Sequence, residues 1–335
     1  MSATVLDGKN ADAVAQAARV IAEGSALVAI PTETVYGLAA NALDEVAVAR
    51  IFAAKGRPAD NPLIVHVPTW QRALPLWAHD DARALGRARL LADACWPGPL
   101  TIVCWRSVAV PDLVCAGLPK VAVRAPRHPV LDALFALLDL PIAAPSANAS
   151  GRPSPTCADD VLASLGDGVA LVLDGGPCAH GIESSVVDVT GEHPVLLRPG
   201  AIGVAELRAL VPDLVVRAPG RAAHGDEASP GLRHRHYAPA LARVRRADLA
   251  GLRAAWPGTA TLLVRAGTAG ALRQALGARA APTHLLDDDP AGFARGLFAA
   301  LYRIERAQPA ELVIEEPPDD ERWLAVRDRL LRATS

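Results

Sequence analysis

The sequence predicts an α/β protein that contains a mixed sheet and, after it, a smaller three-layer α/β unit. Short, almost wholly apolar segments typical of buried strands alternate along the chain with amphipathic segments of helical period. Hydrophobic residues make up 51% of the chain but aromatic residues only 4%, so we expect cores of Ala, Val and Leu. The neighbouring strand segments 185–190 and 194–198 favour a hairpin, and therefore a sheet of mixed direction.

The first part of the chain alternates between helices and strands. Residues 11–23 form an amphipathic pattern closed by Gly24, and Asp44 can cap a second helix that ends at Gly56. Further strands are predicted at 26–30, 62–67, 100–105, 121–126 and 170–176, and further helices at about 80–94, 128–138 and 158–165. A Thr156-x-x-Asp159 capping box is expected to open the last helix.

The composition changes after this part. Residues 209–240 are rich in Pro, Gly, Arg and His and have no sustained period, which indicates a long linker; loops of this length usually have a function or are disordered. Strands at 259–264, 283–286 and 311–315 then alternate with helices at about 268–276, 290–306 and 320–332. We therefore divide the chain into a first domain at 1–208, a linker at 209–240 and a Rossmann-like C-terminal domain at 241–335.

Charge, cysteines and hydropathy exclude several classes of protein. A net charge of −2 does not suit a chain that binds nucleic acid mainly through counterion release. The five cysteines form no CxxC pair, so the sequence predicts neither a disulfide framework nor a zinc site. No segment approaches the ~18 apolar residues of a membrane span, and the N-terminus lacks the apolar core of a signal peptide. We expect a cytoplasmic protein without membrane association.

Residues 55–67 and the loop 144–156 carry the strongest sign of function. Lys55 is one of only three lysines, and Arg57 follows it two positions later. An ammonium binds phosphate as a point charge and a guanidinium binds it as a fork, so the pair favours a polyanion such as a nucleoside triphosphate. Cations are also common in the last turn of a helix, where they meet its dipole. The two residues alone therefore leave both interpretations open.

Other polar residues stand where strands are predicted. Thr34 belongs to a segment that leaves a strand at its C-terminal end, where open sheets bind ligands, although its hydroxyls would equally suit a capped turn. His66 should face opposite to its apolar neighbours, and a lone strand histidine is more often structural than a ligand contact. Arg124 lies in an apolar strand, so it needs a carboxylate or phosphate partner from the protein or from a substrate. Phosphate-loop, dinucleotide, nucleophile-elbow and metal-ligand motifs are absent from the sequence.

Eight segments, in order, resemble the YrdC-like family of L-threonylcarbamoyl-AMP synthases. They are PTETVYGL (31–38), KGRPADNPLIVHV (55–67), WPGPLTIV (96–103), VAVRAP (121–126), APSANASGRPSPT (144–156), GIESSVVDV (181–189), LLRPGAI (196–202) and SPGLRHRHYAP (229–239). The last segment matches the linker of the long, two-domain form. The resemblance covers roughly residues 10–240 and extends beyond 241 by position and pattern only. It implies a twisted mixed sheet with a concave, basic pocket.

The resemblance implies an activity and the residues that serve it. The family joins L-threonine, bicarbonate or CO2 and ATP into threonylcarbamoyl-AMP, with release of pyrophosphate and with Mg2+ held mainly by the ATP phosphates. A tRNA-modifying threonylcarbamoyl transferase then uses the product to form N6-threonylcarbamoyladenosine. By position, the implied catalytic tetrad is Lys55, Arg57, Ser146 and Asn148, and the implied threonine contacts are Thr34, His66, Arg124, Ala144 and Ser184. The implied ATP contacts are Arg57, Asn61, Lys120, Ser146, Ser154, Arg198 and Tyr237. Glu33 is the best-placed carboxylate to help with the metal, and the linker with Tyr237 would close over the pocket.

Other functions stay open at this point. The basic surface could bind RNA or tRNA, with phosphate contacts at Arg217, Arg221, Arg233 and Arg235. A carbamoyltransferase-type relative would carry Cys-rich zinc regions, which the sequence lacks. A purely structural relative is disfavoured because the whole polar tetrad is present.

Overall fold

The structure is a computed structural model that describes residues 3–218, 236–256, 258–277 and 281–334. The strands are β1 (Thr4–Asp7), β2 (Val28–Ile30), β3 (Gly37–Asn41), β4 (Ile64–His66), β5 (Leu100–Trp105), β6 (Lys120–Arg124), β7 (Ile142–Ala143), β8 (Leu171–Asp174), β9 (Ser185–Asp188), β10 (Val195–Arg198), β11 (Val215–Val216), β12 (Val244–Ala247), β13 (Thr261–Arg265), β14 (Thr283–Leu286) and β15 (Leu312–Glu315). The helices are α1 (Ala11–Ala22), α2 (Glu45–Lys55), α3 (Trp70–Ala73), α4 (Ala82–Cys95), α5 (Asp112–Cys115), α6 (Pro129–Leu137), α7 (Ala158–Leu165), α8 (Val204–Leu210), α9 (Leu249–Ala255), α10 (Ala266–Leu276), α11 (Pro290–Arg306) and α12 (Leu324–Ala333). Short 3₁₀ turns cover Leu74–Leu76, Gly166–Gly168 and Glu321–Trp323.

The larger sheet is mixed, as predicted. Within the described residues its strand order is β1-β8-β2-β3-β7-β4-β6-β5-β9-β10-β11. β4 and β6 run parallel, whereas β5 and β6 run antiparallel. The predicted hairpin is confirmed, because β9 and β10 pair in opposite directions. The central strands β5 and β6 are buried along almost their whole length, which fits a sheet covered on both faces.

Several short elements have no counterpart among the predicted ones. β7 and β11 have two residues each, and β1, β3, β12, α8 and α9 were also not predicted. A two-residue strand has no period to detect, so only its neighbours in the sheet identify it.

The predicted capping box of α7 is wrong. The N-cap is Cys157, whose side chain makes no capping hydrogen bond. The backbone N–H and the Oγ1 of Thr156 donate to Oδ2 of Asp160, at 3.2 and 3.1 Å, and not to Asp159. The pairing is therefore shifted by one residue, because the helix begins one position later than the motif suggests.

Helix α2 sets the position of Lys55. Asp44 caps the helix, with Oδ1 accepting from the N–H groups of Val46 and Ala47 at 2.9 and 3.1 Å. Gly56 ends it in the left-handed conformation, at φ 57°, which a residue with a side chain adopts only with strain. Lys55 is consequently the last helical residue and lies at the end that faces the loop 144–156.

The smaller sheet forms the middle of three layers, as predicted. In the described residues its order is β12-β15-β13-β14, and all of its pairs are parallel. Leu263 and Ile314 pack on the same side as residues of α11 and α12. Leu262 and Val313 pack on the other side, with residues of α9 and α10. The domain boundaries at 208 and 240 stay predictions. Among the described residues, none of the helices has the length and apolar character that a membrane span requires.

Candidate active site

A small cavity lies at the carboxyl ends of β4 and β6. It has a volume of about 40 Å³, which leaves room for a few water molecules. Its lining consists of Thr32, Thr34, Val35, Gly37, Arg57, Ile64, His66, Arg124, Ala144, Pro145, Ser146, Glu183, Ser184, Arg198 and His236. Three arginines and one glutamate therefore face a space bounded by segments that are far apart in the sequence.

Arg124 is 3% exposed and bonds to three groups of the protein. Nη1 donates to Oγ1 of Thr34 at 2.8 Å, and Nε donates to the carbonyl of Gly98 at 3.2 Å. Nη2 forms an ion pair with Oε2 of Glu33 at 2.6 Å. The buried guanidinium thus has the carboxylate partner that its position in an apolar strand requires, and this partner belongs to the protein.

His66 is 3% exposed and lines the cavity, while Val65 and Val67 pack in the core on the other face of the strand. This is the orientation that the alternation predicts. Burial, followed by the charge of Arg124, lowers the pKa of His66 to about 3. The imidazole is therefore neutral at physiological pH.

Lys55 links α2 to the loop 144–156. Its ammonium is 3% exposed and donates to the backbone carbonyls of Ser146 and Asn148. Burial, followed by repulsion from Arg57, lowers the pKa of Lys55 well below its ordinary value. Of the predicted catalytic tetrad, Arg57 and Ser146 line the cavity, whereas Lys55 and Asn148 hold the loop that forms its wall.

Two further arginines of the cavity are held by backbone carbonyls. Nε of Arg57 donates to the carbonyl of Asn61 at 3.0 Å, and Nη2 donates to Oδ1 of the same residue at 2.6 Å. Nε and Nη2 of Arg198 donate to the carbonyl of Ser184 at 3.2 and 3.1 Å. The hydroxyl of Ser184 in turn lies 2.7 Å from Oγ1 of Thr101. These contacts fix the directions of both guanidinium groups.

Glu183 was not among the predicted site residues. Its carboxylate is 6% exposed, lines the cavity, accepts a hydrogen bond from Ser154 and forms an ion pair with Nε of Arg329 at 2.8 Å. Burial opposes its ionisation, but Arg329 and Arg198 outweigh this and lower the pKa of Glu183 to about 2. Its place beside Ser184 could have indicated a role, but its partner is 146 residues later in the sequence.

The described part of the linker closes over the cavity. His236, also missed from the sequence, lines the cavity, and its backbone N–H donates to the carbonyl of Arg332 at 3.1 Å. Tyr237 is 1% exposed and stacks on Phe298, with ring centroids 5.3 Å apart, but it does not line the cavity. Residues 219–235, with Arg221, Arg233, Arg235 and most of the linker, lie outside the described residues.

The remaining predicted site residues lie at different distances from the cavity. Ala144 lines the cavity, and its backbone N–H donates to the carbonyl of Ile64 at 3.1 Å. Ser154 is fully buried and bonds to Glu183. Lys120 lies at the other end of β6 from Arg124, about 13 Å away at the rise of a strand, and pairs with Asp188 at 2.9 Å. Lys120 is thus the one predicted ATP contact that the described fold leaves well away from the cavity.

Several buried polar atoms in or beside this site have no hydrogen-bond partner within the described residues. They are Nδ2 of Asn61, Nδ1 of His66, Oδ1 of Asn148, Nδ1 of His236 and the hydroxyl of Tyr237. Such atoms are rare in native proteins, because an unpaired buried polar group is costly. Nδ1 of His66 and Nδ1 of His236 belong to residues that line the cavity, so a polar ligand there could bond to both.

Comparisons with known proteins identify the family. A family model described as "Telomere recombination" matches residues 19–200, and one described as "Threonylcarbamoyl-AMP synthase, C-terminal domain" matches residues 202–335. The chain belongs to the threonylcarbamoyl-AMP synthase family. The predicted family is thereby confirmed over both parts of the chain.

Relatives and solved structures of the family agree with this. The threonylcarbamoyl-AMP synthase of Pyrococcus abyssi is 47% identical over 224 residues, which are 67% of this chain and 64% of the relative. The one from Bacillus subtilis is 44% identical over 227 residues, which are 68% of this chain and 64% of the relative. These matches span slightly less than two thirds of the length of either relative. The crystal structure of P. abyssi Sua5 complexed with L-threonine is 36% identical, with a TM-score of 0.85 over 97% of this chain and 95% of that one.

Proposed function

We propose that this protein is a threonylcarbamoyl-AMP synthase, a nucleotidyltransferase that joins L-threonine, bicarbonate or CO2 and ATP and releases pyrophosphate. The observation that carries the proposal is a cavity lined by three arginines and by two buried imidazoles whose Nδ1 atoms have no partner among the described residues. A polar, anionic ligand would satisfy both features. The threonine complex of the P. abyssi relative supports threonine as one substrate.

Threonine would bind at Arg124. Its carboxylate would take the place of the Glu33 carboxylate on the guanidinium, since both groups offer the same oxygens. Thr34, the Ala144 backbone and Ser184 line the same cavity and would contact the rest of the amino acid. The neutral imidazole of His66 can exchange hydrogen bonds with the substrate without adding a second cation beside Arg124.

ATP would lie on the other side of the cavity, toward Arg57 and Arg198. The threonine amine adds to CO2 and loses a proton, which gives a carbamate. A carbamate oxygen then attacks the α-phosphorus of ATP, and the bond from this phosphorus to the bridging oxygen of pyrophosphate breaks. Holding these two reactants in line supplies much of the rate. The two guanidinium groups offset the charge on the leaving pyrophosphate, and Ser146, Ser154, Asn61 and Tyr237 would add hydrogen bonds.

Magnesium would enter with the nucleotide. The described residues contain no cluster of three His, Cys, Asp or Glu side chains that could hold a metal ion. Glu33 and Glu183, the carboxylates nearest the cavity, are both ion-paired with arginines. The donor set therefore fits an ion bound mainly by phosphates and water, and Mg2+ held in that way would offset part of the phosphate charge.

The linker would open and close during turnover. His236 is buried and lines the cavity, so the segment that carries it would move aside when substrates enter. Closure would then shield the unstable carbamate from water. The product would pass in the cytoplasm to a tRNA-modifying threonylcarbamoyl transferase.

Pyrophosphate release tests the proposal. The full-length protein is incubated with ATP and Mg2+, with and without L-threonine and bicarbonate, and the nucleotide product is identified by mass. We expect release that needs both co-substrates, a threonylcarbamoyl adenylate among the products, and loss of both in Arg124→Met. Arg106→Met, which removes an ion pair of the residue that follows β5 and does not line the cavity, is the control. If the folded protein releases no pyrophosphate under any combination and binds tRNA with steep salt dependence, the RNA-binding alternative replaces this one.

A further inference from the structure

Arg329 connects the C-terminal part of the chain to the wall of the cavity. It belongs to α12, is fully buried, and its Nε lies 2.8 Å from Oε2 of Glu183. Nη1 donates to the carbonyl of Pro199 at 2.8 Å, directly after Arg198 in the sequence. The guanidinium also lies over the ring of Tyr237, 5.2 Å from its centroid. The side chain of Arg329 therefore contacts Glu183 in the cavity wall, Tyr237 in the linker and the residue that follows Arg198.

Arg329 does not have to leave α12 to find a carboxylate partner. Asp328 on the same helix lies 3.2 Å from Nη1 and gives the guanidinium a carboxylate of its own. The side chain nevertheless extends to Glu183 and aligns its Nε on that carboxylate. Glu183 accepts the hydrogen bond of Ser154 and attracts the guanidinium of Arg198 electrostatically, so its position bears on two predicted ATP contacts.

We propose that Arg329 is a positioning residue for ATP, which holds Glu183, and through it Ser154, together with Tyr237 in the wall on the nucleotide side of the cavity. This inference rests on the proposed function. It gives the C-terminal domain a defined role, because the domain completes the nucleotide side of the site and leaves the threonine side, around Arg124, unaffected.

The charges around Glu183 predict how the loss of Arg329 changes the pH dependence of the enzyme. The titratable and charged groups that act on Glu183 from the surrounding elements are Arg329 of α12, Arg198 of β10, Lys55 of α2, and His236 and Tyr237 of the linker. Arg329 is the strongest of the groups that hold the carboxylate ionised against its burial. Without Arg329 the pKa of Glu183 rises, so the carboxylate becomes protonated at a higher pH than in the wild type.

The test compares Arg329→Met and Arg329→Lys with the wild type, by kcat and KM for each substrate between pH 5 and 9. For Arg329→Met we expect a KM for ATP raised roughly 10- to 100-fold, the effect of one or two lost charge-assisted hydrogen bonds. The KM for threonine should change by less than about threefold, and the loss of activity with falling pH should begin at a higher pH than in the wild type. Arg329→Lys keeps the charge and should restore most of the pH profile but only part of the ATP affinity.

Arg265→Met is the matched control. Arg265 forms an ion pair with the buried Glu315 and lies over the ring of Trp323 in the same domain, but it does not contact the cavity. The double variant Glu183→Gln/Arg329→Met addresses folding, because it removes both members of this buried ion pair together. It should regain thermal stability, lack the new pH dependence, and still show the raised KM for ATP.

Two outcomes would overturn the inference. One is an Arg329→Met protein that is folded and equals Arg265→Met in ATP KM and pH profile. The other is a double variant that recovers the wild-type KM for ATP, since Arg329 would then only neutralise a buried charge. Pyrophosphate release by the wild type is measured first. If there is none, the proposed function fails. The role of Arg329 is then decided by calorimetric measurement of ATP binding to the same variants.

Discussion

His66 and Arg124 occupy paired register positions at the ends of the parallel strands β4 and β6. Both side chains face the cavity, so the imidazole and the guanidinium are neighbours in a buried space. Burial, followed by the charge of the neighbouring guanidinium, lowers the pKa of His66 to about 3, so the imidazole is neutral. Burial and the register of the two strands together set the charge state of the proposed threonine site.

The stability of the protein should fall as the pH decreases from about 6.5, the ordinary pKa of histidine, toward 3. In that window the unfolded chain binds a proton at His66 that the folded chain does not bind, so acid favours unfolding. His66→Gln should reduce the slope of the unfolding free energy against pH by about 1.4 kcal/mol per pH unit. Urea unfolding between pH 4 and 7 measures this, with the exposed His79→Gln as control. Equal slopes in the wild type and His66→Gln would contradict the buried, neutral imidazole.

Arg124→Lys should raise the KM for threonine much more than the KM for ATP. Lysine keeps the positive charge but loses the planar fork, which bonds at once to Thr34 and to a carboxylate. We expect the KM for threonine to rise about 10- to 100-fold, while the KM for ATP changes little. Steady-state kinetics with each substrate varied in turn measures both, and Arg106→Lys is the control. A larger effect on ATP than on threonine would assign Arg124 to the nucleotide instead.

Glu33→Gln should strengthen the binding of threonine. The Glu33 carboxylate forms an ion pair with Arg124 at 2.6 Å, and the substrate carboxylate has to displace it. Glutamine has the same size and can still accept from the backbone N–H of Arg127, which Oε1 of Glu33 does at 3.0 Å. We expect the dissociation constant for L-threonine to fall about three- to tenfold, because a neutral amide competes less well for a guanidinium. Calorimetry without ATP measures it, with the exposed Glu206→Gln as control. Weaker binding would indicate that Glu33 orients Arg124 for the substrate.

Lys55→Met should affect stability as well as activity. The ammonium donates to two carbonyls of the loop 144–156, and methionine leaves both without this donor. We expect a loss of about 2–4 kcal/mol in the free energy of unfolding, the cost of two buried acceptors left unpaired. Chemical denaturation measures the loss, and the exposed Lys9→Met is the control. Full stability combined with lost activity would mean that Lys55 acts only on the substrate.

Local patterns in the sequence were enough to predict several helices and strands. The limits 45–55 of α2 follow from a capping Asp44 and a terminal Gly56, and the observed helix has the same limits. The apolar segment 100–105 is β5, and the segment 290–306 is α11, as the alternation and the helical period indicate. The ordered motifs also identified the family, because each preserves a short stretch of residues whose chemistry is visible without the fold.

Which of these residues contact one another could be learned only from the fold. The sequence contains Lys55 and Glu183 but does not show that the first bonds to loop carbonyls and the second to Arg329, 146 residues later. Nor does it show why Gly181 stands where it does: at φ +69° it lies against α11, where a side chain would overlap the backbone of Arg295. Periodicity records how each residue is buried within its own helix or strand. The partners of a buried charge depend on how separate elements pack, which no local pattern contains.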